Sequence, residues 1–162
     1  MEPAVKRRFL LVLMSAGLLL AIGGMFAGMS AGAGSTVDPA LVAGRWLTES
    51  GNLEIDIAPC GARLCGKVTK VVADRSMRDP RKAMVAADGR SPMGMTILSG
   101  FVLEDGAWKG RIYNRENGKT YDCLMTVSGV DTLRIRAYVG LPLLGKTQLW
   151  TRVPQPKAGA AT

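Results

Sequence analysis

The chain has 162 residues, 21 lysines and arginines against 13 aspartates and glutamates, and no histidine. That length holds one export segment and one compact domain, because two full domains would each be too small to bury an adequate core. The missing imidazole excludes Ser-His-Asp and Cys-His relays and every zinc site that needs histidine, so the commonest routes to hydrolysis near neutral pH are closed.

Lys6, Arg7 and Arg8 form a basic start, and no charge follows from Phe9 to Val37. Ala31-Gly32-Ala33 then supplies the small residues that a signal peptidase reads. Residues 1–33 are expected to be a signal peptide, giving a periplasmic or secreted protein. The alternative is an uncleaved segment anchored in the inner membrane, since the uncharged stretch exceeds the roughly 20 residues that span a bilayer. Removing residues 1–33 still leaves a basic domain. Its basic residues alternate along strands or sit in loops without aromatic partners between them, so no nucleic acid is expected as a partner.

Residues 34–43 read as a linker. From Gly44 to Val153 apolar and polar residues alternate: Leu53, Ile55 and Ile57 against Glu54 and Asp56, then Leu133, Ile135 and Ala137 against Arg134 and Arg136. Period two with turn signals between the runs predicts antiparallel strands with one wet face. Strands are expected over 44–48, 53–58, 66–72, 96–103, 108–114, 120–127, 133–138 and 147–153.

Cys60 and Cys65 flank a short hairpin turn, and an exported domain is oxidised, so a Cys60–Cys65 disulfide is expected. Two thiolates without further soft ligands do not make a metal site, and no metal or cofactor is expected. Cys123 shares a strand face with Tyr121 and Met125 and reads as a buried free thiol. Between the third and fourth strands lies a long basic connection with Arg75, Arg78, Arg81, Lys82 and Arg90. Asp79 before Pro80 and Gly89 predict a short helix over 79–87, placed over a barrel opening. Residues 154–162 read as a disordered tail.

About eight short strands joined by tight turns are best served by an all-β, small antiparallel up-and-down barrel over residues 44–153, which removes sheet edges. An immunoglobulin-like sandwich is the alternative, although it needs longer crossovers. Gly44-Arg45-Trp46 and the late Trp150-Thr151-Arg152 are similar to the early tryptophan and late arginine of lipocalin-type (calycin) barrels. That resemblance implies Trp46 and Arg152 as a barrel-closing pair.

More specific motifs occur in order: Leu64-Cys65-Gly66-Lys67-Val68, Ile97-Leu98-Ser99-Gly100-Phe101, Trp108-Lys109-Gly110-Arg111-Ile112-Tyr113-Asn114, Glu116-Asn117-Gly118-Lys119-Thr120-Tyr121 and Gln148-Leu149-Trp150-Thr151-Arg152-Val153. Together they resemble an uncharacterised exported bacterial family with a lipocalin-like barrel, domain of unknown function 2147. Some members of that family carry a second cysteine pair near the final hairpin, which residues 137–145 lack here.

Such a barrel encloses a small apolar or amphipathic ligand or is filled by its own side chains, with Met93, Met95, Leu124 and Met125 as core. For the hollow case the candidate ligand-binding residues are Arg78, Arg81 and Arg90, selecting an acidic head group, with Trp108 and Tyr121. The second reading is an envelope interaction protein that uses outward Arg111, Arg134 and Arg136 against a membrane surface or a partner. No catalytic residue is assigned, because no phosphate loop, nucleophile elbow or calcium-loop spacing is present.

Overall fold

The computed structural model describes residues 38–155. The expected signal peptide, and the expected tail from 156 onward, lie outside the described residues. Eight strands follow one another: β1 (Gly44–Leu47), β2 (Leu53–Cys60), β3 (Arg63–Val71), β4 (Thr96–Glu104), β5 (Ala107–Asn114), β6 (Lys119–Gly129), β7 (Thr132–Tyr138) and β8 (Lys146–Arg152). Each pairs antiparallel with the next and β8 returns to β1, so the sheet is a closed up-and-down barrel. Each strand therefore has a neighbour on both sides.

Period two builds the interior. Ile55 and Ile57 of β2, Leu64 and Val68 of β3, Cys123 and Met125 of β6, and Leu133 and Ile135 of β7 are all buried in one core. On β4 the alternation breaks. Gly100 takes a left-handed conformation (φ 71°), the register with β5 shifts between Ser99 and Val102, and Phe101 turns inward with no exposed surface. A residue with a side chain would resist that φ, so the bulge needs glycine.

The barrel has two unlike ends. At one end lie the hairpins that follow β2, β4 and β6. There the Arg152 guanidinium sits 4.1 Å from the centroid of the Trp46 ring. Its Nη1 and Nη2 donate to the carbonyls of Ala43 (3.0 Å) and Leu41 (2.7 Å). Trp46 Nε1 donates to the Val42 carbonyl at 2.9 Å. Residues 38–43 are therefore not the linker expected from sequence: Pro39–Leu41 forms a 3-10 turn and Val42 is fully buried. The sequence hid this because six residues are too few to show a period.

At the other end the long connection 72–95 crosses the opening without the expected helix over 79–87. Asp79 takes the Arg81 amide (3.2 Å), as a capping residue would. The chain then returns to form an isolated bridge between Arg75 and Ala83. The Ser76 and Met84 amides bond the Lys82 and Asp74 carbonyls, and these cross-chain bonds replace the i to i−4 bonds of a helix.

Cys60 and Cys65 form a disulfide across the β2–β3 hairpin, with their Cα atoms 5.8 Å apart. Cys123 is free and buried, and burial pushes its thiol up to about 12. At neutral pH it is protonated and enclosed, hence unreactive. One cysteine is therefore expected to alkylate in denatured, non-reduced protein and none in the native protein; three alkylated cysteines would contradict the disulfide.

Candidate functional site

Interior side chains pack the barrel above the Trp46 floor. Above them lies a cavity of about 580 Å³, within the range of roughly 300–1,000 Å³ typical of ligand pockets. Its inner wall is apolar, with Leu53, Ile97, Ile112 and Trp150, and Met77 and Met84 close it from the connection 72–95. The interior thus contains both a packed side-chain core and a hollow.

Polar contacts tie the connection down over the hollow. Buried Asn52 donates through Nδ2 to the Arg75 carbonyl (2.7 Å) and accepts the Arg75 amide on Oδ1 (3.2 Å). Glu116 accepts from Ser76 Oγ and, at 3.2 Å, from the Met77 amide. The Ala87 amide donates to the Arg115 carbonyl at 2.9 Å.

The Tyr113 hydroxyl donates to Asp88 at 2.7 Å, and Arg90 pairs with the same carboxylate at 2.7 Å. The Tyr113 hydrogen bond first, then Arg90, hold the Asp88 carboxyl at about 2 against an ordinary 3.8. Because the folded value is the lower one, ionised Asp88 favours the folded state above pH 3.8, and this contribution fades as the pH falls towards 2. Tyr113→Phe is accordingly expected to flatten the acid limb of the thermal midpoint against pH. Parallel curves for the two proteins would show that the bond carries no such linkage.

The residues singled out from sequence separate by height on the barrel. Arg78 and Tyr121 line the cavity, Arg78 exposed and Tyr121 half-buried, with the Tyr121 hydroxyl accepting from Asn117 Nδ2 at 2.8 Å. Arg81 does not line it; its side chain is 89% exposed and pairs with Asp79. Arg90 lines a second, more open hollow of about 570 Å³ that shares Ile97 and Tyr113 with the first.

Trp108 is buried in the core and absent from both hollows. It faces inward as its parity requires but lies near the closed end, opposite Leu103 and Met125. Met93 is 53% exposed and is not core, whereas Met125 is fully buried and Met95 packs against the core. Leu124 is half-buried.

Of the outward arginines, Arg136 is engaged within the chain. Its Nε and Nη2 donate to the Pro142 (2.6 Å) and Leu143 (2.9 Å) carbonyls, and its Nη1 donates to Thr147 Oγ1 (2.6 Å).

Sequence reasoning missed Arg115, Glu116 and Trp150 as cavity residues. Arg115 and Glu116 sit in the β5–β6 turn, where no period signals burial, and Trp150 was read only with the closing motif.

Comparison with curated proteins gives no match. Among solved structures the barrel is similar to a protein of the human pathogen Helicobacter pylori described as belonging to the lipocalin family. That chain is 20% identical, the TM-score is 0.53, and the match covers 69% of this chain and 82% of that one. A family model described as an uncharacterised protein conserved in bacteria matches residues 44–152. Those residues are the closed barrel from the first residue of β1 to the last of β8, and the chain accordingly belongs to that family, DUF2147, with a lipocalin-like fold.

Proposed function

We propose that this is an exported binding protein that holds a small hydrophobic or amphipathic molecule in the open half of its barrel. The observation that carries the reading is the hollow of about 580 Å³ that begins where the side-chain core ends, with an apolar inner wall. An aqueous void against Leu53, Ile97 and Ile112 would forgo the burial that a ligand's apolar surface supplies. Arg78 at the rim and Tyr121 in the wall are proposed ligand contacts; both line the same hollow. The disulfide favours an oxidising compartment, in keeping with removal of residues 1–33 and a periplasmic or secreted location.

Binding rather than catalysis is the proposed role, because the carboxylate in the wall, Glu116, is engaged in tethering Ser76 and Met77. The neutral fluorophore N-phenyl-1-naphthylamine is expected to brighten on adding protein. Ala137→Trp, which builds an indole into the cavity wall, is expected to abolish the signal. No signal from the parent protein, or an equal signal from a folded variant, would refute the reading.

A further inference from the structure

Arg115 follows directly after β5, in a turn where a charged side chain ordinarily points to water. Here it lines the cavity and is only 7% exposed. Its Nη2 donates to the Arg90 carbonyl over a long 3.3 Å. Its Nε and Nη1 are buried and find no hydrogen-bond partner among the described residues.

Neither nearby acid makes a hydrogen bond to Arg115. Glu116 accepts from Ser76 Oγ and the Met77 amide, and Asp88 is held by Arg90 and Tyr113. An arginine guanidinium is a permanent cation. A buried charge with most of its donors unused is strongly destabilising unless an acceptor completes it. A neutral isostere of the same volume would fill this space without that penalty, so a cation here points to an anion.

Resting on the reading of the hollow as a ligand cavity, we propose that Arg115 is the head-group-recognising residue of this barrel and that its ligand is an amphiphile with one carboxylate on an apolar tail. The planar fork of N–H groups matches the two oxygens of a carboxylate. One buried cation balances one buried negative charge, and the wall of Leu53, Ile97, Ile112 and Trp150 accepts the tail. The other lining cations, Arg78 and Lys146, are exposed and remain hydrated, so they contribute little discrimination. The mouth arginines expected from sequence to select an acidic head group therefore yield that role to a residue inside.

The test displaces N-phenyl-1-naphthylamine from the purified protein with dodecanoate and, separately, with dodecanol. The parent protein is expected to prefer the acid by at least about tenfold, the worth of one charge-assisted hydrogen-bonded pair. Arg115→Met is expected to abolish that preference while dodecanol still displaces the probe. Arg115→Lys, which keeps the charge and loses the fork, is expected to retain only part of it and serves if the methionine variant does not fold. Equal displacement by acid and alcohol in the parent protein overturns the assignment but leaves the cavity standing, as does an unchanged preference in either folded variant. Failure of the parent protein to take up the neutral probe overturns the cavity reading and this one with it.

Discussion

Trp46→Ala will lower the unfolding free energy by about 3–5 kcal/mol, the loss that accompanies removal of a large aromatic side chain from a packed core. Trp46 is fully buried and its indole N–H is engaged by the Val42 carbonyl. The substitution therefore removes packing and frees the 38–43 segment together. Arg152→Ala is expected to cost about 2 kcal/mol, from its contact with the indole and from the two carbonyls it leaves without a charged donor.

The double variant separates these effects. Trp46 and Arg152 lie opposite each other in the β1–β8 register, so their losses share one site. They are expected to fall short of additivity by more than about 0.5 kcal/mol. Urea titration of the four proteins reads this directly, and additivity within error would mean that the stacking geometry contributes nothing to closure.

The second large effect lies on the opposite wall. A methyl group placed on Gly110 would come within 2.5 Å of the Phe101 ring, which packs against the β5 backbone there. Gly110→Ala is expected to destabilise the barrel by about 1–3 kcal/mol through overpacking. Phe101→Ala is expected to cost about 3–5 kcal/mol by emptying the same space. Combining them puts a methyl group where the ring was, so the double variant should be more stable than the sum of the two losses predicts. A sum that holds would show that the ring moves aside at no cost.

What the sequence made legible was whatever repeats. Alternation at 53–57 and 133–137 declared an inward and an outward face, and glycines and asparagines declared the turns, which is enough to specify a closed antiparallel sheet. Parity says nothing about height along the barrel axis. Trp108 and Tyr121 both sit on inward-facing rows, yet one ends in the core and the other in the hollow, because their strands deliver them to different levels.

Irregular backbone was the other blind spot. The Gly100 bulge moves Phe101 onto the inner face against a strict period of two, and the connection 72–95 is shaped by bonds to Asn52, Glu116 and Tyr113, which no local window contains. Arg115 combines both limits. Only the folded turn reveals that its side chain is buried and reaches the Arg90 carbonyl of that connection.

The seam between the first and last strands has a mechanical consequence. β1 is four residues long, and only Trp46 and Leu47 find register partners on β8, at Arg152 and Thr151. On the floor side the Val153 amide adds a bond to the Arg45 carbonyl at 2.9 Å, whereas towards the mouth no further register partners follow among the described residues. The Leu149 amide instead donates to the carboxylate of Glu49 at 2.6 Å. The barrel is thus riveted at its floor and only laced at its mouth. A side-chain tie can lengthen by rotating about its own bonds, which a backbone ladder cannot do without breaking. Towards the mouth the seam thus rests on a side chain rather than a ladder, like a cuff held by its last button, while Trp46 and Arg152 keep the cylinder whole.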